Sequence, residues 1–211
     1  MKSWMISLLL LNLALFQLSG EGKKVVLHGK IGDDCIVNLL KNNHEIKKGG
    51  LVTENLFDVD FLILGHVSDD FEEAEISAIK EAVTNGSSLI VACQAWSWSY
   101  KDYGNRENSL VPINVLGAEL GFNFSKETSK TPVEFNKELL SDIKYLDLNG
   151  AVPSPIKIDH DFTWLMKDID DRLSAGIYNF GSGKIILLSH EMFLNKSNLV
   201  NQLLTIKEKH W

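Results

Sequence analysis

Blocks of apolar and polar residues alternate along the first half of the chain, in an order that predicts strands joined by helices. Apolar, β-branched runs over Lys24–His28, Phe61–Gly65 and Leu89–Ala92 are typical of strands buried on both faces of a sheet. Between these runs, helices are predicted from Asp33 to Asn42 and, at near-helical apolar spacing, from Phe71 to Val83. Strand–helix–strand units of this kind predict a parallel sheet, because the crossover helix returns the chain in the same direction.

Short polar segments set the predicted bounds of these elements. Ser68–Asp70 is suited to the start of the second helix, and Asn85–Gly86 is suited to its end. Asp33 and Asp34 place acids in the first turn of the first helix, where the helix dipole favours them. Asn43–Gly50 is predicted to be a polar connection.

The second half of the chain is less regular. A helix is predicted over Ser109–Leu120, with a proline in its first turn and a glycine after its end, and others over Glu134–Ile143 and Asn195–Lys209. Ser174–Phe180 and Lys184–Ser189 flank a Gly-Ser-Gly turn and predict an antiparallel hairpin. These features add a late hairpin to an otherwise parallel α/β sheet.

The N-terminal segment predicts export. Lys2 precedes the apolar run Trp4–Leu18, which is shorter than the about 20 residues of a membrane-spanning helix and is followed by small residues. We therefore expect residues 1–22 to be a secretory signal peptide and residues 23–211 to form one secreted domain with no stable membrane span. An uncleaved signal anchor is the alternative.

The net charge and three glycosylation triplets indicate which classes of partner to expect. The net charge of -7 excludes a nucleic-acid-binding surface, which needs clustered Lys and Arg. Three Asn-X-Ser triplets fit passage through a secretory pathway, and their acceptors are Asn85, Asn123 and Asn195. A protein or glycan partner is therefore expected.

The chain has two cysteines, Cys35 and Cys93. In an oxidising compartment the two can form a disulfide. The alternatives are that Cys93 is a buried small residue or a reactive thiol.

The segment from Leu89 to Tyr100 carries candidate functional residues just beyond the end of a buried strand. Open parallel sheets hold ligands just beyond the carboxyl ends of their strands. The candidate ligand-binding residues there are Gln94, Trp96, Trp98, Tyr100, Tyr103 and Arg106. If the chain stays extended past Gln94, three of these aromatic rings share one face; the alternative is that Trp96 and Trp98 close the core.

Several motifs carry a resemblance to a known family. The run from Asn85 to Tyr100, with Gln94-Ala95-Trp96, and the late Ser189-His190-Glu191 resemble the amidotransferase-like domain of the TRP-channel-associated factors. Those proteins also carry an enhancin-like metallopeptidase domain. The resemblance implies a flavodoxin-like, class I glutamine amidotransferase-like fold, with a mainly parallel sheet and helices on both faces.

Two departures from these families argue against their chemistry. The metallopeptidase motif needs a second His after His190-Glu191, and that His is missing. The amidotransferase nucleophile sits in Gly-x-Cys-x-Gly, whereas Cys93 has no glycine neighbours. The acidic pairs near Asp33 and Asp69 are explained as helix caps, so neither a metal nor a cofactor is expected.

These observations favour a non-catalytic binding module. The enzymatic alternative is a thiol-dependent hydrolase or amidase, in which Cys93 attacks a carbonyl, His190 takes its proton, and Glu191 or Asp69 orients the imidazole. Adjacent His190 and Glu191 would diverge on a strand, which argues against it. A glycan-binding accessory domain is a further alternative, suggested by the aromatic segment.

Overall fold

Eight of the ten strands pair into one sheet in the computed structural model, which describes residues 22–100 and 104–206. The ten strands are β1 Lys24–His28, β2 Glu45–Lys48, β3 Phe61–Leu64, β4 Ser88–Ala92, β5 Phe122–Phe124, β6 Glu134–Phe135, β7 Ile156–Ile158, β8 Thr163–Lys167, β9 Leu173–Phe180 and β10 Gly183–Leu188. The large sheet has the order β2-β1-β3-β4-β10-β9-β8-β6, and β5 pairs with β7 separately.

Helices connect these strands and cover the sheet. They are α1 Asp33–Lys41, α2 Thr53–Leu56, α3 Glu73–Thr84, α4 Pro112–Leu120 and α5 Ser197–Ile206. Among the described residues, short 3-10 turns lie at Trp96–Ser99, Asn108–Leu110 and Glu191–Asn195. No helix within the described ranges is both long and apolar enough to cross a membrane.

The strand directions divide the sheet into two parts. The strands β2, β1, β3, β4 and β10 run parallel, in the order typical of flavodoxin-like sheets. The strands β9, β8 and β6 continue the sheet with antiparallel pairing. The predicted α/β class, with a mainly parallel sheet and a late antiparallel hairpin, is confirmed.

Alternation along the central strands creates two separate cores. On β4, Ile90 and Ala92 pack into the first core with α1 and α5. Leu89 and Val91 pack into the second core with α3 and α4. Because successive side chains of a strand point to opposite faces, every second residue of β4 joins the same core.

Most of the predicted elements are present. The bounds of β1 are as predicted, and α4 ends at Gly121, whose φ of 84° is the left-handed conformation that glycine adopts at helix ends. The hairpin β9–β10 pairs Phe180 with Gly183 beside the predicted turn. The last helix is described from Ser197 to Ile206, two residues after its predicted start, because Asn195 belongs to the preceding 3-10 turn. Residues 207–209 of its predicted range lie outside the described residues, as do residues 1–21 of the predicted signal peptide.

Two predicted segments have different bounds in the structure. Asn43–Gly50 contains β2, an edge strand whose sequence is polar because only Ile46 packs against the core. The helix α3 starts after Glu72, which forms a capping box with Glu75, and not at Ser68–Asp70.

The predicted helix over Glu134–Ile143 is wrong. Glu134 and Phe135 form β6 beside β8, and the chain then continues in turns. Asn136 stabilises these turns, since its side-chain amide donates to the Trp164 carbonyl and its side-chain oxygen accepts from the Glu138 N–H. The buried Leu139, Leu140 and Ile143 therefore have helical spacing without forming a helix.

Candidate functional site

Three neighbouring parallel strands bring the candidate site residues to one edge of the sheet, here called the carboxyl edge. Cys93 follows β4, His190 follows β10 by one intervening serine, and His66 follows β3 by one intervening glycine. The pairing of β3 with β4 and of β4 with β10 holds these chain segments side by side. The sequence placed Cys93 and His190 here correctly but overlooked His66.

The thiol of Cys93 contacts an imidazole that is not among the predicted site residues. The Cys93 Sγ lies 3.8 Å from His66 Nδ1. Cys93 continues the alternation of β4 into the second core. The role of His190 as the base for Cys93 stays a prediction, whereas the contact between Cys93 and His66 is present in the structure.

Burial suppresses the reactivity of Cys93. The residue is 0% exposed. Burial, together with the charge of Glu191, raises the pKa of the thiol to about 12, so the group stays protonated at neutral pH. The thiolate is the nucleophilic form, and this sulfur therefore lacks both the charge and the access that attack on a carbonyl requires.

His190 is held as a neutral, buried imidazole. Its Nδ1 accepts a hydrogen bond from the Met192 N–H at 3.1 Å and lies 3.1 Å from Glu191 Oε2. Burial, and then the nearby Lys30, lowers the pKa of His190 to about 4. The expected divergence of His190 and Glu191 is wrong, because a 3-10 turn begins at Glu191 and folds the carboxylate back onto the ring.

The same edge holds a second imidazole, that of the half-buried His66. Burial lowers the pKa of His66, while the charge of Glu191 acts in the opposite direction. Lys30 is linked to this segment, since its N–H donates to the His66 carbonyl at 2.8 Å. Together, the two imidazoles, the thiol and the carboxylate form a partly buried polar cluster at the ends of the strands.

The two cysteines are free and lie in different cores. Cys35 is on α1 in the first core, and Cys93 is in the second core. The sheet separates them, so the Cys35–Cys93 disulfide left open by the sequence is not formed in the structure. Burial raises the pKa of Cys35 to about 11.

The backbone after β4 differs from a nucleophile elbow. Such an elbow places its nucleophile on a strained turn between a strand and a helix. Residues 92–95 have no positive φ, and a 3-10 turn follows them. The Ala95 N–H donates to Ser154 Oγ at 2.8 Å, and the Trp96 indole N–H donates to the Val152 carbonyl at 2.6 Å. Gln94 is buried just before these contacts, which anchor the segment to the loop before β7.

The aromatic residues do not form a row. The 3-10 turn rotates successive side chains away from one another, so Trp98 is buried in the second core, Trp96 is half-buried and Tyr100 is 59% exposed. Trp96 and Tyr100 meet edge to face, with ring centroids 6.0 Å apart. The prediction of a common face for the three rings is wrong; the alternative that tryptophans close the core fits Trp98.

Arg106 completes an exposed surface beside these rings. Its guanidinium carbon lies 4.9 Å from the centre of the Trp98 ring, and its Nη1 pairs with Asp70. Leu110, which is exposed, accepts a hydrogen bond from the same guanidinium through its carbonyl.

Tyr103 lies outside the described residues. Asp69, the alternative partner for His190, is exposed on the loop before α3.

The three glycosylation acceptors differ in access. Asn85 is exposed at the end of α3. Asn123 accepts a hydrogen bond from the Asn108 side chain at 2.8 Å. The Asn195 side-chain oxygen is buried, and its amide donates to Met192 Sδ. Asn85 therefore offers a glycan the most room.

The chemistry of this edge is restricted further by the arrangement of its ligating groups. Within residues 22–100 and 104–206, no group of three or more His, Cys, Asp or Glu side chains is arranged to hold a metal ion. His66 was detectable from the sequence, because it follows a predicted strand by one glycine. Ser154 was not, since its contact with Ala95 joins segments 59 residues apart in the chain.

Fold and site together define an α/β domain with a mainly parallel sheet, whose carboxyl edge is closed over a buried thiol. The family model described as "TRPM8, N-terminal domain" (TCAF_N) matches residues 28–137, which is more than half of the chain. The chain belongs to this family.

Two relatives extend the similarity. A "TRPM8 channel-associated factor homolog" of Xenopus laevis is 24% identical over 233 residues, covering 85% of this chain and 25% of that protein. A protein of the same name from Danio rerio is 28% identical over 140 residues, covering 54% of this chain and 15% of that protein. The chain therefore spans a quarter or less of the length of these relatives.

Solved structures share the fold. The mmIFT52 N-terminal domain superposes with a TM-score of 0.68 at 15% identity, covering 89% of this chain and 98% of that one. The cytoplasmic protein STM3548 from Salmonella typhimurium gives a TM-score of 0.58 at 12% identity, covering 87% and 98%. At such low identity the likeness concerns the architecture alone.

Proposed function

We propose that this chain is a non-catalytic protein-binding module built on an amidotransferase-like scaffold. The observation that carries the proposal is the burial of Cys93, which is 0% exposed with a thiol pKa near 12. The thiol-dependent hydrolase needs this sulfur as an accessible thiolate. Without it, the carboxyl edge is suited to presenting a surface rather than to forming a covalent intermediate.

The proposed partner is a membrane channel of the kind named in the relatives. Both are named TRPM8 channel-associated factor homologs, and the family model carries the same channel name. A module spanning a quarter or less of such proteins can supply one contact surface of the whole. The TRPM8 channel is therefore the partner to test first.

The exposed part of the carboxyl edge is the proposed contact surface. Tyr100 is 59% exposed, and the half-buried Trp96 beside it is fixed by its hydrogen bond to the Val152 carbonyl. Arg106 is fixed by its ring contact and by its ion pair with Asp70. Tyrosine, tryptophan and arginine dominate binding hot spots, and groups held in place before binding lose less entropy.

Binding of the purified chain to TRPM8 channel in nanodiscs tests the proposal. Tyr100→Ala should weaken binding about thirty-fold or more, since central aromatic anchors contribute about 2 kcal/mol or more. The matched control is Tyr145→Ala, which removes an exposed tyrosine elsewhere on the molecule and should leave the Kd unchanged. Undetectable binding by the unaltered chain, or equal effects of the two variants, would contradict the proposal.

We also propose that residues 1–22 direct export and are removed. The apolar run followed by small residues supports this. Intact-mass measurement of protein recovered from the medium of a secreting host should give a chain beginning between Gly20 and Lys23. Recovery of the complete chain in the membrane fraction would contradict it.

A further inference from the structure

A second surface lies at the opposite end of the sheet, where β3 and β4 begin. A groove of about 370 Å³ is enclosed there by α2, α3 and the loops that lead into the two strands. This volume is within the range of about 300 to 1,000 Å³ found for ligand sites. We call it the amino-edge groove, and it is remote from the carboxyl edge because the strands run from one to the other.

The floor of the amino-edge groove is apolar. Leu56 and Ala78 are buried beneath it, and the partly buried Val59 and Ala82 line its walls. At the rim, Phe57 is 82% exposed, which leaves a large apolar ring in water. Apolar surface gains free energy when it leaves water, so the floor and the ring favour an apolar occupant.

The charged residues that line the groove are all acidic: Asp58, Asp60 and Glu81. Asp58 pairs with Lys24, but both side chains are at least half exposed, and such pairs are weak and readily exchanged. Asp60 accepts a hydrogen bond from the Lys24 N–H at 3.0 Å and so remains fixed at the mouth. The negative rim complements a cation beside an apolar group.

We propose that the amino-edge groove docks a segment of a protein partner in which apolar side chains are flanked by Lys or Arg. The apolar side chains pack on Leu56, Ala82 and the Phe57 ring, and the basic groups lie against Asp58 and Glu81. This surface is separate from the one proposed to contact the channel, so either proposal can be contradicted while the other stands. Asn85 also lines the groove, and a glycan there would cover it.

Fluorescence anisotropy on the unglycosylated chain tests this site. The probe is a short fluorescein-labelled peptide with a central Leu pair and an Arg on each side, and the control peptide has Glu in place of Arg. The basic peptide should bind with saturation, and the acidic peptide should bind at least about ten-fold more weakly because its charges repel the rim. Amide resonances of Gly86 and Ser87 should shift on titration with the basic peptide.

Charge variants distinguish binding in the groove from non-specific attraction of the basic peptide to an acidic protein. Glu81→Lys should weaken binding about five-fold, whereas Glu127→Lys, the same change on the exposed loop after β5, should not. Phe57→Ser should also weaken binding, and Tyr100→Ala at the carboxyl edge should leave it unchanged. Equal binding of the two peptides, or equal effects of the two charge reversals, would overturn the proposal.

Discussion

Cys93, His66 and His190 follow three neighbouring parallel strands at the carboxyl edge. Cys93 lies beside His66, and His190 lies beside Glu191. Burial keeps the Cys93 thiol protonated at neutral pH. At the scale of the residue, burial therefore sets the protonation of this edge, with a protonated thiol and a neutral His190 imidazole.

The two histidines of the carboxyl edge predict acid sensitivity. The pKa of His190 is about 4 in the fold against an ordinary value of 6.5, so the unfolded chain takes up the proton first as the pH falls. Stability should be full above pH 6.5 and decline toward pH 4, by about 3 kcal/mol for this residue. His66 acts in the same direction, because its pKa is also lowered.

Urea unfolding at a series of pH values measures this effect. His190→Asn retains a side-chain acceptor for the Met192 N–H but cannot titrate, so its free energy of unfolding should fall less steeply between pH 6.5 and 4 than that of the unaltered chain. Parallel pH profiles for the two proteins would show that His190 is not the residue responsible.

At the scale of the element, the antiparallel end of the sheet depends on one buried carboxylate in the loop between β8 and β9. Asp168 accepts hydrogen bonds from the N–H groups of Lys130, Asp170 and Arg172, and from the Arg172 guanidinium. Burial opposes its charge, but these bonds outweigh burial and hold the pKa of Asp168 below its ordinary value. The loop therefore folds around an ionised acid.

Removing that carboxylate should loosen the β8–β9 connection. Asp168→Ala leaves several donors without an acceptor and should lower the free energy of unfolding by about 2 to 4 kcal/mol. The matched variant Asp170→Ala removes a carboxylate that is 46% exposed and that pairs with the same arginine and with Lys130. It should cost less than about 1 kcal/mol. Equal losses from the two substitutions in urea unfolding would refute the assignment.

The elements that the sequence predicts correctly are those whose signals are local. Continuous apolar runs identified β1, β3 and β4, and a glycine in the left-handed conformation marked the end of α4 at Gly121. The errors concern elements defined by distant partners: β2 is polar because it is an edge strand, and Phe135 is extended because it pairs with Met166. The helical spacing after Phe135 comes from turns that pack against the core.

The site was predictable in position but not in detail. The rule that ligands lie beyond the carboxyl ends of parallel strands located Cys93 and His190. Which imidazole contacts the thiol depends on how the ends of β3, β4 and β10 lie side by side, which one sequence does not define. The 3-10 turn at Trp96 is likewise set by contacts with Val152 and Ser154, which lie more than fifty residues away.

At the scale of the whole molecule, the sheet carries two different surfaces at its two ends. The carboxyl edge presents Trp96, Tyr100 and Arg106 over a closed polar cluster, and the amino edge presents an apolar groove with an acidic rim. The rigid sheet between them keeps the two ends apart. Under the two proposals above, the module contacts one partner at each end.

Alkylation of the cysteines tests most directly whether the carboxyl edge is closed and non-catalytic. Iodoacetamide labelling with peptide mapping, on native and denatured protein, should show slow modification of both Cys35 and Cys93 in the native state and rapid modification after unfolding. Prior reduction should change neither rate, because both thiols are free. Rapid, pH-dependent labelling of Cys93 alone in the native protein, lost in His66→Ala or His190→Ala, would contradict the account.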